Sequence, residues 1–316
     1  MLKRIFELVS PAGVEARLSV LIFHRVLPSV DPLFPNEMHT SQFDRICGWM
    51  KNWFNVLPLD VAVQRLKSST LPARAACITF DDGYADNFHM ALPILQRHGL
   101  TATFFIATGY LNGGRMWNDT IVESVRGCAQ PVLDLSSLAL RSYPLKTVPD
   151  RRKAISDLID QIKYRTVDER TEIAETIAAS AGVSPPVNLM MTRDEVKAMR
   201  LAGMQIGAHT VSHPILAKLS DESAADEVRA SKNTLEQILG ERVGLFAYPN
   251  GKPGEDYSAK SVEVIRQLGF DAAVSTKWGV TTTKDDYFQI RRFTPWDRAK
   301  LRYGIRLLDN LRRKEK

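Results

Sequence analysis

The sequence predicts an α/β fold built on a mainly parallel sheet, and two observations predict it. Six short β-rich apolar runs recur along the chain, at 18–23, 75–80, 101–107, 204–208, 243–248 and 270–275. Segments with helical periodicity lie between them, and strands that alternate with helices pair in parallel through crossovers. The first such segment places Phe43, Ile46, Cys47 and Met50 at i, i+3, i+4 and i+7, the stripe of a helix lying on a core. The segment 86–98 stops at Gly99 and the segment 221–239 at Gly240, each a residue that allows the left-handed turn closing a helix. Thr192 and Glu195 form a Thr-x-x-Glu box that starts another helix. Residues 113–190 break the alternation. They show no clear strand, carry charged helical stretches at 150–164 and 167–181, and are bounded by Gly113-Gly114 and Pro185-Pro186. They read as a helical insertion within one domain spanning 1–297, followed by a basic amphipathic helix or tail at 298–316.

The 316 residues are 44% hydrophobic and 25% charged, which excludes a disordered or collagen-like polymer. The net charge is +6. Residues 298–316 hold eight basic side chains (Arg298, Lys300, Arg302, Arg306, Arg312, Arg313, Lys314, Lys316) and two acidic ones (Asp309, Glu315), a difference that accounts for the whole net charge. The body is balanced, so no nucleic-acid partner is expected. On a helix over 297–313, Leu301, Ile305, Leu308 and Leu311 form an apolar stripe with Arg302, Arg306 and Arg313 to one side. In residues 1–9, Leu2, Ile5, Phe6 and Val9 share a face beside Lys3 and Arg4. Each segment is expected either to dock its stripe on the body or to lie on an anionic membrane surface. Three cysteines, Cys47, Cys77 and Cys128, are odd in number and irregular in spacing, which points to buried free thiols rather than a disulfide framework or zinc ribbon. Glu7, Glu15 and Arg17 interrupt any leader-like apolar run. No stretch approaches the roughly 18 apolar residues of a membrane span. The expected location is cytoplasmic, peripheral at the inner face of the membrane; the oligomeric state is left open.

Four polar features follow directly on the expected strands, and parallel α/β sheets gather such strand ends on one rim. His24 follows 18–23, Asp81-Asp82-Gly83 follows 75–80, His209 to His213 follow 204–208, and Tyr248-Pro249-Asn250-Gly251 ends 243–248. Two histidines four residues apart can reach one ion, and a carboxylate from another strand end completes a His₂-carboxylate set with open positions. Adjacent carboxylates repel unless a cation or a base role separates their states. One can bind metal while the other accepts a proton, the division that metal-assisted hydrolysis requires. The plainer readings are a pair of packed imidazoles and an Asp-Gly turn. A His₂-carboxylate set also describes non-haem iron oxygenases, against which the second carboxylate argues. No Gly-x-Ser-x-Gly elbow or phosphate-binding glycine-rich loop is present.

Ile78-Thr79-Phe80-Asp81-Asp82-Gly83-Tyr84 resembles the first motif of the polysaccharide deacetylases, carbohydrate esterase family four, whose domain is the nodulation-type chitooligosaccharide deacetylase homology domain. Gly207-Ala208-His209-Thr210-Val211-Ser212-His213-Pro214 resembles the second motif, and Phe246-Ala247-Tyr248-Pro249-Asn250-Gly251 the third. The resemblance covers about 18–295. It implies a distorted, incomplete (β/α) barrel of about seven strands and a hydrolase of non-peptide amide bonds that removes an N-acetyl group from an amino sugar. By position it implies Asp82, His209 and His213 as ligands of a divalent metal, zinc first and other transition metals after it. Asp81 is then the general base, and the Tyr248 backbone N–H an oxyanion donor.

Two departures from the family pattern matter. The late Leu-x-His segment that carries the acid is missing, since no histidine follows His213. In an exopolysaccharide-type subgroup the motif order is permuted and an N-terminal histidine takes this role. Leu21-Ile22-Phe23-His24-Arg25-Val26 resembles that segment, which makes His24 the expected acid. Phe246-Ala247 also replaces the arginine that pairs with the catalytic Asp. Arg291 and Arg292, in a late strand-like Gln-Ile-Arg-Arg-Phe, are candidates for its place, and Arg292 is the better match. Trp117, at the start of the insertion, and Asn250 and Tyr84 are candidates to line the substrate cleft. Related enzymes lie in capsule, exopolysaccharide and lipopolysaccharide pathways of the cell envelope, so the expected partner is an amino-sugar glycan or a lipid-linked glycan precursor. The alternatives are a deformylase or deacylase of another sugar-linked amide, or a carbohydrate-binding descendant of the fold. A binding-only descendant would be expected to have lost a ligand or the base.

Overall fold

Each of the six apolar runs contains a strand in the computed structural model, which describes residues 2–313. In chain order the elements are α1 (Leu2–Val9), β1 (Ser19–Phe23), α2 (Thr40–Trp53), β2 (Asn55–Val56), α3 (Leu59–Lys67), β3 (Ala75–Phe80), α4 (Leu92–His98), β4 (Thr103–Ile106), α5 (Trp117–Gly127), β5 (Val132–Asp134), β6 (Ser142–Pro144), α6 (Val148–Ile162), α7 (Val167–Ala181), α8 (Arg193–Leu201), β7 (Gln205–Ala208), α9 (Asp221–Leu239), β8 (Leu245–Ala247), α10 (Ala259–Gln267), β9 (Ala272–Val274) and α11 (Lys300–Arg312). They divide into two compact units. The second comprises Val30–Glu37 and Asn112–Met190, and the first holds the remaining described residues.

In the first unit the strands run in the order β1-β3-β4-β7-β8-β9, all parallel, with the two-residue β2 paired beside β3. The sheet curls into a half-barrel flanked by helices. Both faces of such a sheet are covered, which is why β3 is buried at every position. Alternate side chains point to opposite faces. Val20, Cys77, Phe105, Ala247 and Val274 fill the interior, while Leu21, Ile78, Phe80, Phe104 and Ile206 pack toward the helices. A Cβ at Gly207 would come within 2.5 Å of the Phe105 ring, so the glycine makes room for it. The edges β1 and β9 are bridged by the stretch 290–294. The Ile290 N–H donates to the Ala273 carbonyl (2.9 Å), the Phe293 N–H to the Val20 carbonyl (2.9 Å), and the Ile22 N–H to Thr294 Oγ1 (2.8 Å). That stretch carries Arg292 into the interior.

Helix ends follow the local signals. Gly99 and Gly240 close their helices at φ 65° and 67°, and the Thr192 box forms with both hydrogen bonds. The segment expected as a helix over 86–98 begins with a wide π turn, Asn87–Ala91, before α4. The second unit has its own apolar core, in which Ile121, Val125, Leu133, Ile155, Leu158 and Ile177 are buried together with Leu33 from the 30–37 segment. It contains an antiparallel hairpin, β5 with β6, which corrects the expectation of an insertion without strands. Three-residue strands are too short for a period-2 pattern to register.

Both terminal helices dock on the body, α1 by its expected face and α11 by a different one, which corrects the stripe expected there. In α1, Phe6 is fully buried against Phe54 and Trp53 (ring centroids 4.6 and 5.7 Å), with Leu2, Ile5 and Val9 packed beside it. That face is used in docking and is not available to a membrane. In α11 the buried residues are Tyr303, Gly304, Leu307, Leu308, Asn310 and Leu311, whereas Leu301 and Ile305 of the expected stripe face solvent. Tyr303 fits against Trp49 (5.3 Å), and a Cβ at Gly304 would meet Leu2 at 2.9 Å, so this helix turns its small and aromatic side inward. Lys314, Glu315 and Lys316 lie outside the described residues.

Candidate active site

The site lies at the carboxyl ends of the parallel strands. After β3 the chain makes a left-handed turn, with Asp82 at φ 76° and Gly83 at φ 91°. The Asp81 N–H donates to the Phe23 carbonyl (2.9 Å) and the Ala107 N–H to the Asp82 carbonyl (3.1 Å), so β1 and β4 fix the turn from both sides. This geometry sends two adjacent carboxylates to different partners.

Asp81 meets Arg292. Both are buried, and the guanidinium donates to the two carboxylate oxygens at 2.6 and 2.7 Å. Arg292 also donates to the Ser275 carbonyl (2.9 Å) and to Thr79 Oγ1 (3.2 Å), which fixes its orientation. Burial pushes the Asp81 carboxyl up, but Arg292, with His209 and His24 nearby, outweighs it and holds the group below the usual range. Arg291 points elsewhere and pairs with Asp285 at 3.0 Å.

Asp82 faces the histidines. Its Oδ1 is 3.4 Å from His209 Nε2 and 3.5 Å from His213 Nε2, and the two rings are 4.9 Å apart. One ligand atom from each of the three residues lies within 4.8 Å of the others. His209 Nδ1–H donates to the Ala247 carbonyl (2.8 Å), which leaves the Nε2 lone pair facing Asp82. Asp82 Oδ1 is buried without a hydrogen-bond partner, a state that a cation between the three groups relieves. Two imidazole nitrogens and a carboxylate suit a divalent transition metal with open positions. Burial raises Asp82, yet His209, His213 and His24 together lower it well below the usual range; burial lowers His209, but Asp82 with Asp81 outweighs it and holds the imidazole above its usual value.

The loop between the histidines is held by Glu227 of α9. Its carboxylate accepts from the Val211 N–H (2.8 Å), the Ser212 N–H (2.9 Å) and the Ser212 hydroxyl (2.7 Å). The loop bends through two left-handed residues, Thr210 (φ 65°) and His213 (φ 52°), and residues forced there store on the order of 1–3 kcal/mol each. Glu227 escaped the sequence reading because it stands among other charges on a solvated helix, with no local pattern linking it to a loop 15 residues away.

His24 follows β1 at the same end, exposed, with its carbonyl accepting from Asn87 Nδ2 (2.8 Å). It is near enough to both carboxylates to contribute to lowering them. Tyr248 departs from expectation. Its backbone N–H donates to the Val274 carbonyl (3.2 Å), its hydroxyl donates to the Phe288 carbonyl (3.0 Å), and its buried ring stacks on Tyr257. The β8–β9 ladder uses that amide, so it is not an oxyanion donor. Asn250, two residues on, is exposed at φ 58°, and among the described residues no hydrogen bond occupies its N–H. Trp117 belongs to the second unit, half-buried on that unit's core with the Arg170 guanidinium 5.2 Å over its ring. Those contacts explain it by packing. Tyr84 is buried under Arg25 (4.6 Å).

The family model described as polysaccharide deacetylase matches residues 68–141 and 150–273. The chain is 18% identical over 279 residues to the Bacillus subtilis (strain 168) protein YxkH, covering 88% of this chain and 71% of that one. Among solved structures it is similar to the Streptococcus pyogenes deacetylase PplD in complex with acetate, with TM-score 0.62, 18% identity, and 94% and 99% of the two chains covered. It is likewise similar to IcaB from Ammonifex degensii, with TM-score 0.59, 16% identity, and 96% and 99% covered.

Proposed function

The chain belongs to the polysaccharide deacetylase family, a family of hydrolases acting on amide bonds, and on that premise we propose that it removes an N-acetyl group from an amino sugar. The observation that carries the reading is the divergence of two adjacent carboxylates, Asp81 toward a buried arginine and Asp82 toward two histidines. Asp82 Oδ1 and the Nε2 atoms of His209 and His213 would hold a divalent cation, with zinc favoured by the nitrogen-rich donor set. When bound, that ion activates a water and polarises the amide carbonyl.

The protein's own residues supply the proton transfers. Asp81, kept ionised by Arg292, retains lone pairs beyond the two that accept from the guanidinium and takes the proton of the attacking water. His24, exposed at the mouth, gives a proton to the departing amine. The free N–H of Asn250 is the donor for the developing oxyanion, in place of Tyr248. The substrate is an N-acetylated amino sugar in a cell-surface glycan or in a lipid-linked precursor of one.

Metal content and acetate release from a panel of N-acetylated sugars test this together. Asp81→Asn is expected to keep the metal and lose about 10²–10⁴ in turnover, whereas Asp82→Asn loses the metal. Wild-type turnover by Asp81→Asn would overturn the assignment of the base. Wild-type turnover by His24→Ala would remove only the acid.

A further inference from the structure

We propose that the exposed side of α11, together with Trp278 and Trp296, is a docking surface for an anionic lipid bilayer. The two indoles are 51% and 57% exposed and lie 5.9 Å apart, with Phe293 buried behind them as their support. Arg306 lies 3.9 Å over Trp296 and Arg313 5.4 Å over Trp278, which joins the aromatic pair to the helix.

The helix itself is divided by its packing. Tyr303, Leu307, Leu308 and Leu311 hold one side to the body. At 100° per residue the opposite arc carries Leu301, Arg302, Ile305, Arg306, Asp309, Arg312 and Arg313. Leu301 and Ile305, one turn apart, are 57% and 45% exposed. The arc therefore presents two aliphatic side chains, four arginines and one acid. Among the described residues Arg302, Arg312 and Arg313 make no ion pair; Arg306 is bonded to Asp297.

Charge and side-chain chemistry select the occupant. The surface presents indoles beside arginines, the pairing that settles at a headgroup boundary, where the indole takes the amphipathic zone and guanidinium edges take phosphate. A second copy of the chain would bring arginine against arginine. Arg302, Arg312 and Arg313, set against the single acid Asp309, leave this face net positive.

The full-length protein is tested by flotation with vesicles of phosphatidylcholine alone and with phosphatidylglycerol added, at low and high salt. Binding is expected only to the anionic vesicles, and to weaken as salt rises. Leu301→Gln/Ile305→Gln and Trp278→Ala/Trp296→Ala should each weaken it by about tenfold with the same melting temperature; the first pair, being solvent-facing, guards against misfolding. No binding to anionic vesicles, equal binding to neutral ones, or wild-type binding by both double variants would overturn the proposal. A change in oligomeric mass or in KM for a soluble glycan, with vesicle binding intact, would instead assign the face to self-association or to sugar.

Discussion

The rim of the first unit and the helical second unit use polar residues in opposite ways. At the rim, Asp81, Asp82, His209 and Arg292 are buried and face one another, and Asp82, Thr210 and His213 take left-handed backbone. In the second unit the helix caps and the surface ion pairs are exposed or partly exposed, although Asp119 and Arg170 are buried. Thr147 and Thr166 cap their helices through reciprocal boxes with Asp150 and Glu169, and Arg126 reaches Asp31 at 2.7 Å near the surface. The first arrangement is costly to disturb; the second stabilises in small, separable increments.

The widest separation between the units should come from Arg292→Met. Leaving Asp81 buried without its partner is expected to cost about 3–5 kcal/mol in denaturant unfolding and to abolish acetate release. The contrast breaks if this substitution is as mild as a surface change. Glu227→Gln comes next. It removes the charge that orders the His209 to His213 loop and should weaken metal binding by about 10–100-fold in a chelator competition, with little change in the melting temperature. Thr166→Ala removes a helix cap and should cost about 1 kcal/mol while metal affinity and turnover stay at wild-type values. A loss of metal there would show that the second unit is not energetically separate.

The smallest effect is expected from Asp31→Asn. The hydrogen bond from Arg126 comes first among the influences on Asp31, exceeding burial, and holds its carboxyl below the usual range. A depressed carboxylate stabilises the fold above the unfolded value of about 3.9 and loses that contribution as pH falls through its folded value. The pair is partly exposed, so wild type should lead the variant by at most about 1 kcal/mol near neutrality. Stability measured from pH 7 down to 3 should show the two converging in acid.

Much of the rim was legible because its signals are local. Asp81-Asp82-Gly83 and the His209/His213 spacing sit where an apolar run stops, and a run of that kind has few ways to pack. Glu227 gave no signal, because its partners lie across a helix-to-loop contact that composition does not encode. The state of the Tyr248 amide is hidden from the sequence for a related reason. The motif marks the turn, but only the register of β8 against β9 shows which amide in it remains free.

The sequence alone determined which six stretches hold the main strands, that they alternate with helices, and which residues stand at their carboxyl ends, since these depend on side-chain period and turn chemistry over a few residues. Tertiary structure decided that Arg292 rather than its neighbour Arg291 reaches Asp81, that Asn250 rather than Tyr248 keeps an open N–H, and that α11 buries Tyr303 and Leu307 while exposing Leu301 and Ile305. Each of these is a choice between neighbouring groups that the local pattern leaves nearly equivalent. The shape of a distant surface breaks the tie: the closing stretch 290–294 between β1 and β9 for the arginine, the β9 ladder for the amide, and the aromatic bed of Trp49 and Trp53 for the helix.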